Sequence, residues 1–154
     1  MLVFHIRFSK KTAAVCASVA LMVTATALLL SGCLKNSEPS QSVSAASNEE
    51  RIAYLNSLGW DVAEEPIETL QLGLPDDLAA DYGEYCKLQK DQGLPFSDYG
   101  GKQAERYTYA VTNYPDIPQG VQANLYVCNG RIIGGDIIVT GEGGFRSSLS
   151  FPKK

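Results

Sequence analysis

The clearest chemical signal in the sequence is a cysteine at the end of an apolar segment. Residues 12–30 carry no charge and are mostly Ala, Val and Leu, and they lead into Leu30-Ser31-Gly32-Cys33. A basic flank, an apolar run and small residues before a cut are typical of a secretory signal. A cysteine directly after the small residues is what a lipoprotein signal adds, because its thiol accepts the diacylglyceryl group. We therefore predict a signal peptide over residues 1–32 and lipidation of Cys33.

The alternative for this segment is an uncleaved membrane-spanning helix. About 18 apolar residues at roughly 1.5 Å each reach about 27 Å, close to the hydrocarbon thickness of a bilayer. The fit of residues 30–33 to a lipobox and the polar stretch that follows at once favour the lipoprotein. Arg7, Lys10 and Lys11 then stay in the cytoplasm. The later residues are expected on the extracytoplasmic face of the cell membrane, held by the acyl chains.

Composition excludes several classes of function. The chain has 154 residues and one histidine, His5, which lies in the predicted signal. Residues 33–154 therefore lack the side chain that Ser-His and Cys-His nucleophiles, histidine bases and histidine metal sites require. They keep 10 of the 13 Lys and Arg against all 17 Asp and Glu, a net charge of −7. A protein with this negative charge repels phosphate backbones, and we therefore expect no nucleic-acid partner. We also expect no metal and no cofactor, because no pattern in the sequence indicates one.

Asp136 is the strongest candidate for a ligand contact. It follows Gly134-Gly135 in a segment rich in Ile and Val, where an unpaired carboxylate would be costly to bury. One interpretation places it at a ligand site together with Arg106 and Tyr126. The other is structural, with the carboxylate paired to Arg106 or accepting hydrogen bonds from nearby amides.

Tyrosines are a second candidate for binding. Tyr126, with Tyr99 and Tyr114, could form an exposed stacking surface for a glycan or a peptide. Packing in the core, or scattered positions on the surface, is the alternative for the same residues.

Cys86 and Cys128 are the cysteines that remain beside Cys33 after cleavage. Their separation gives no metal-binding or redox spacing, but an extracytoplasmic location allows a disulfide. The predicted strand turns Cys128 away from the core face, whereas Cys86 lies one helical turn after Tyr82 and points toward it. The sequence therefore allows either a disulfide between Cys86 and Cys128 or two free thiols.

The elements expected to position these residues form one domain over residues 48–151. Residues 33–47 are polar, Ser-rich and aperiodic, which predicts a flexible tether. The spacing of Ser47 and Glu50 predicts a capping box for a first helix that ends at Gly59. Pro75-Asp76-Asp77 predicts the start of a second helix, which ends at Gly93.

Alternating hydrophobicity predicts the strands. Residues 103–113, 121–127 and 132–139 form an expected three-stranded meander, with a type I′ turn at Asn129-Gly130 and a bulge at Gly134-Gly135. Shorter strand segments are predicted over residues 60–62 and 67–72. The expected fold is α+β, a small antiparallel sheet made by this C-terminal meander, with two helices packed on one face.

Several short motifs together resemble those of a known family. They are Asn48-Glu49-Glu50-Arg51, Tyr54-Leu55-Asn56-Ser57-Leu58-Gly59-Trp60, Glu65-Pro66-Ile67-Glu68, Leu88-Gln89-Lys90, Arg106-Tyr107-Thr108-Tyr109, Asn113-Tyr114-Pro115, Ala123-Asn124-Leu125 and Ile133-Gly134-Gly135-Asp136. From about Asn48 to Leu149 the chain resembles the bacterial lipoprotein family called domain of unknown function forty-eight thirty. The resemblance implies an exported, lipidated setting and supplies no catalytic residue.

Three functions follow as hypotheses from the sequence. The leading one is a non-catalytic binding or accessory module of the cell envelope, anchored through Cys33, with an envelope protein or glycan as partner. The second is a carboxylate-dependent enzyme acting on cell-wall glycan, which requires two carboxylates about 5–9.5 Å apart across a cleft. The third is a structural partner of a membrane complex, which predicts one exposed apolar patch on the sheet.

Overall fold

The computed structural model of the chain describes residues 43–152. The predicted signal, Cys33 and most of the predicted tether lie outside these residues. In chain order the described elements are α1 (Asn48–Ser57), β1 (Glu68–Gly73), α2 (Leu78–Asp91), a short 3-10 helix (Phe96–Tyr99), β2 (Gln103–Ala110), β3 (Val121–Cys128), β4 (Arg131–Val139) and β5 (Phe145–Ser147). Within residues 43–152 no helix has the length and apolar character needed to cross a membrane.

The sheet is larger than the predicted three-stranded meander, so that prediction is wrong. Five antiparallel strands pair in the order β1-β2-β3-β4-β5. β1 pairs with β2 from Glu68 opposite Thr108 to Gly73 opposite Gln103, although the whole of α2 separates them in sequence. β5 has three residues, too few to show an alternating pattern. The segment over residues 60–62 forms an isolated bridge, Val62 with Val111, rather than a strand.

The two helices cover opposite faces of the sheet, so the prediction that both pack on one face is also wrong. The α1 face is the side packed by α1 and Trp60, and its buried strand residues are Tyr109, Ala123, Leu125, Val127, Ile132 and Ile137. The α2 face is the side packed by Leu78 and Cys86, and its buried strand residues are Ala104, Cys128 and Ile133. Consecutive apolar pairs such as Val127-Cys128 and Ile132-Ile133 serve both faces, as in strands that are covered on both sides.

The local signals for turns and helix ends are confirmed. Ser47 and Glu50 make the capping box of α1 in both directions. Gly59 and Gly93 follow the two helices with φ of 98° and 75°, a backbone conformation in which glycine avoids the steric cost of a side chain. Asn129 and Gly130 have φ of 51° and 71°, as a type I′ turn requires.

β4 contains a β-bulge between the Asn129-Gly130 turn and Asp136. Val127 is opposite Ile132 and Tyr126 is opposite Gly134, so Ile133 is the extra residue. The bulge therefore falls one residue before the predicted Gly134-Gly135 position, and it turns Ile133 and Gly134 to the same side, the α2 face. A β-carbon on Gly134 would lie 2.8 Å from the Phe96 ring, so only glycine fits there without movement.

Packing contacts begin before α1, at Val43. The amide of Ala45 donates to the carbonyl of Gly130 at 2.9 Å, and Ile132 donates to the carbonyl of Val43 at 3.1 Å. Ala45 is fully buried. The last residues of the segment predicted as a tether therefore lie against the β3–β4 turn.

Candidate ligand-binding pocket

A pocket of about 250 Å³ opens on the α2 face of the sheet. Its lining combines aliphatic side chains, aromatic rings and two guanidinium groups: Leu72, Leu74, Pro75, Leu78, Tyr82, Tyr85, Phe96, Tyr126, Arg106 and Arg146, with Gly73. None of these described lining residues is Asp or Glu. Concave sites of this size, mostly apolar with a few convergent polar groups, are typical of small-molecule binding.

Arg106 and Tyr126 form the floor of this pocket, which will be called the α2-face pocket. They are direct partners across β2 and β3, and residues opposite one another in an antiparallel pair share a face. The structure therefore brings together two of the three residues that the sequence named as ligand contacts. Their role in binding stays a prediction.

The connection from β1 to α2 forms one wall. Asp77 caps α2 by accepting from the amide of Ala80 at 3.0 Å, and the Pro75 carbonyl accepts from Gly101 at 3.0 Å. The first turn of α2 is broken at Tyr82, whose φ of −135° and ψ of 38° are not helical. Tyr82 remains 52% exposed at the rim of the pocket.

Three rings form the opposite wall in edge-to-face contact. The ring centroids of Tyr85 and Phe96 are 5.0 Å apart, those of Tyr85 and Tyr126 are 5.8 Å apart, and those of Phe96 and Tyr126 are 5.4 Å apart. These distances and tilts are in the favourable range for aromatic pairs. The wall is therefore preorganised by contacts within the protein.

Asp136 lies behind this wall and holds it in place. It is fully buried, and its two oxygens accept from Asn124 Nδ2 at 2.8 Å and from the Tyr85 hydroxyl at 2.7 Å. The Thr108 hydroxyl in turn donates to Asn124 Oδ1 at 2.7 Å. The arrangement matches the structural interpretation of Asp136, with one difference: the carboxylate does not pair with Arg106.

The Asp136 carboxylate also affects the titration of Tyr85. Burial raises the pKa of Tyr85 far above its ordinary value, and the neighbouring negative charge of Asp136 raises it further. Tyr85 therefore remains a neutral hydrogen-bond donor.

The two arginines of the pocket are incompletely paired. Arg106 forms an ion pair with the exposed carboxylate of Glu68, but its Nε is buried without an acceptor. Burial by itself lowers the pKa of Arg106, yet attraction to Glu68 and the Tyr126 hydroxyl outweighs it and the pKa lies above the ordinary value. Arg146 Nε lies 3.7 Å from Asp136, and its side chain is 52% exposed.

The other residues singled out by the sequence lie elsewhere. Cys86 and Cys128 are buried free thiols on the α2 face, donating to the carbonyls of Leu78 and Gln103 at 3.4 and 3.2 Å. Tyr114 stacks on Trp60 on the α1 face, whereas Tyr99 and Tyr126 pack on the α2 face, so of the two alternatives for these tyrosines the structure shows core packing and separate positions rather than one shared surface. No cluster of three or more metal-ligating side chains occurs between residues 43 and 152.

The sequence did not single out four of the six aromatic and charged lining residues, Tyr82, Tyr85, Phe96 and Arg146. Tyr82 and Tyr85 are three residues apart in α2, a spacing that indicates one face of a helix and no particular chemistry. Arg146 gave no signal, because it lies on the short strand β5 that the alternation did not reveal.

The fold and the pocket define an α+β domain with a helix on each face of an antiparallel sheet and a small-molecule-sized pocket on one face. The chain belongs to the family described as a domain of unknown function (DUF4830), which matches residues 54–137, more than half of the chain. No curated protein and no solved structure matches the chain.

Proposed function

We propose that this protein is a non-catalytic binding module of the cell envelope, which holds a small ligand in the α2-face pocket on the extracytoplasmic side of the membrane. The observation that carries the binding role is the pocket itself. The aromatic and aliphatic walls remove the apolar surface of a bound ligand from water, and two incompletely paired guanidinium groups offer it polar contacts.

The chemistry of the pocket supports binding better than hydrolysis of glycan. A glycosidase needs two carboxylates facing a cleft. The lining includes none among the described residues, and the nearby Asp136 has zero exposure with both oxygens occupied by Tyr85 and Asn124. No observation on the described residues favours the carboxylate-dependent enzyme.

The membrane anchor of this proposal depends on residues 30–33. Each buried methylene contributes about 0.8 kcal/mol, so the two or three acyl chains of a lipoprotein cysteine give a stable anchor where one chain would not. A second cysteine, Cys16, lies inside the apolar run and provides a matched control.

The anchor is tested by growing producing cells with an alkyne-bearing fatty acid and measuring its incorporation. We expect label in the wild type and in Cys16→Ser, and none in Cys33→Ser. Label retained by Cys33→Ser, or absent from the wild type, would show that Cys33 is not the lipidated residue.

The binding role is tested on the full chain in nonionic micelles with ¹³C-labelled tyrosine rings, followed by NMR. Phenylacetate and phenylacetamide serve as water-soluble aromatic probes. We expect at least one of them to shift the ring signals of Tyr82, Tyr85 and Tyr126 in a saturable manner, while Tyr54 and Tyr114 stay unchanged. If neither probe moves the three pocket rings, the binding role of this pocket is wrong.

A further inference from the structure

We propose that the α2-face pocket selects ligands in which an oxyanion, a carboxylate or a phosphate, is joined to an apolar group, and that Arg106 and Arg146 hold the oxyanion. This inference rests on the proposed binding function and names the chemical class of its ligand. It is carried by the distribution of charge, by the free hydrogen-bonding capacity of the two arginines and by the rings beside them.

The charged groups that line the pocket are both cationic, on a protein that is acidic as a whole. Residues 33–154 carry a net charge of −7, so most of the surface repels anions. The pocket lining has two guanidinium groups and no described carboxylate. The carboxylates within ion-pair distance lie outside the lining, Glu68 beside Arg106 and Asp136 beside Arg146. The pocket therefore presents guanidinium groups, and not carboxylates, to a ligand.

Arg106 has a donor with no acceptor. Its Nε is buried and makes no hydrogen bond, while another nitrogen of the same group pairs with Glu68. Buried N–H groups without a partner are rare in folded proteins, and each is costly. The Arg106 side chain as a whole is 29% exposed and lines the pocket. An oxyanion can therefore reach the accessible part of this guanidinium, whose planar donors match carboxylate and phosphate oxygens.

Arg146 has unused capacity of a different kind. Its Nε lies 3.7 Å from Asp136 Oδ2, beyond hydrogen-bond distance, and that oxygen already accepts from Tyr85. The guanidinium carbon lies 5.2 Å from the centre of the Tyr85 ring. The side chain is 52% exposed, so the guanidinium lies beside an aromatic wall and remains accessible to a ligand.

The apolar half of the ligand is set by the rings. Tyr85, Phe96 and Tyr126 present a fixed wall, and Leu74 and Leu78 face it across the cavity. A volume of about 250 Å³ accepts one ring or a short aliphatic chain rather than a polymer.

The test compares dissociation constants from the ring-signal titrations of the full chain in nonionic micelles. Phenylacetate and phenylacetamide differ in charge at nearly the same shape, and phenyl phosphate replaces the carboxylate. We expect phenylacetate or phenyl phosphate to bind at least about tenfold more tightly than phenylacetamide. The tighter of the two anions identifies the source of the oxyanion.

Variants assign this preference to the two arginines. We expect Arg106→Gln and Arg146→Gln each to weaken anion binding about tenfold and to leave phenylacetamide binding unchanged, which shows that the pocket is still folded. Arg131→Gln removes the same charge from an exposed position outside the pocket lining and should change neither.

Two results would overturn the inference while leaving the binding role intact. One is equal affinity of the wild type for the anions and for phenylacetamide. The other is an equal loss of anion affinity in Arg131→Gln and Arg106→Gln, which would indicate net charge rather than a site. If no probe moves the pocket rings, the proposed function itself fails.

Discussion

Each face of the sheet carries a group of three aromatic rings, one buried and two half-buried, but only the group on the α2 face borders the pocket. On the α1 face Trp60 lies 5.6 Å from Tyr114 and 4.7 Å from Phe151, and it is fully buried. Its indole donates a hydrogen bond to the Leu149 carbonyl at 2.7 Å, and this bond holds the C-terminal segment against the ring. On the α2 face Tyr85, Phe96 and Tyr126 border a pocket instead. Similar groups of rings thus pack against a chain segment on one face and line a cavity on the other.

The arginines of the two faces show the same contrast. Arg51 on the α1 face is buried, donates to the Tyr109 hydroxyl at 2.9 Å and to the Ala45 carbonyl at 3.0 Å, and stacks 3.6 Å from the centre of the Tyr107 ring. Arg106 on the α2 face keeps a buried Nε without an acceptor. Arg51 is thus a buried structural part of the core, whereas the Arg106 side chain is partly exposed and lines the pocket.

The largest expected effect comes from opening the covered face. Trp60→Ala removes the ring between Tyr114 and Phe151 and the bond to Leu149, and should lower the free energy of unfolding by about 3–5 kcal/mol. Because Trp60 is the only tryptophan, unfolding in urea is followed by circular dichroism. Tyr82→Ala, at the exposed rim of the pocket, should stay within about 0.5 kcal/mol of the wild type. Equal losses in both variants would remove the distinction between the two faces.

Next in size is the carboxylate behind the pocket wall. Asp136→Asn should lower the free energy of unfolding by about 3 kcal/mol, because an amide oxygen replaces only one of the two acceptors that Asn124 and Tyr85 use. The Tyr85 ring signals should broaden or shift as the wall loosens. Asp98→Asn on the surface is the control. Unchanged stability of Asp136→Asn would contradict the structural role of this carboxylate.

A smaller effect is expected where α2 reaches the edge of β4. The Gln89 carboxamide is fully buried, donating to the Gly135 carbonyl at 2.9 Å and accepting from the Gly135 amide at 2.8 Å, as a neighbouring strand would. Gln89→Ala should cost about 2 kcal/mol and speed hydrogen exchange at Gly135. The exposed Gln71→Ala serves as the control. Slow exchange at Gly135 in Gln89→Ala would show that another group protects it.

The smallest effect depends on pH. Tyr85→Phe removes one hydrogen bond to Asp136 and should cost about 1 kcal/mol near neutral pH. Folding raises the pKa of Tyr85, chiefly by burial, so the unfolded chain loses this proton first as the pH rises past about 10. The contribution of Tyr85 is therefore complete below that pH and falls above it. Unfolding measured near pH 8 and near pH 11 should show the wild-type advantage shrinking, and a constant difference would contradict the assigned shift.

Local features could be predicted from the sequence because a few neighbouring residues decide them. The capping box of Ser47 and Glu50, the glycines after both helices and the Asn129-Gly130 turn depend on contacts within about four residues. A strand was predicted over residues 67–72, where β1 lies, but its place in the sheet was not, because its partner lies about 35 residues later, across a whole helix. β5 was not predicted, because it is too short to carry a pattern.

Two of the six aromatic and charged residues of the candidate site followed from the same kind of pattern. Arg106 and Tyr126 stood out as polar or aromatic residues on alternating strands, and both line the pocket. Tyr85 and Arg146 did not stand out, because both contact Asp136 only in the folded chain. Asp136 lies 51 residues after Tyr85 and on a different strand from Arg146. The sequence also offered Arg106 as a partner for Asp136, but Arg106 pairs with Glu68, its diagonal neighbour on β1, which lies opposite Thr108.

The sequence by itself placed both helices and the main strands to within a few residues, although the second helix begins at Leu78 rather than Pro75 and β2 ends at Ala110 rather than residue 113. It also determined the excess of acidic residues and the absence of histidine after residue 32, and it predicted the lipid anchor at Cys33. Only the tertiary structure decided that the helices take opposite faces, that Asp136 holds Tyr85, and that two arginines converge on one pocket. The reason is register. Since alternate residues of a strand point to opposite faces, a shift of one position exchanges every partner, and only the packing of the whole sheet fixes that position.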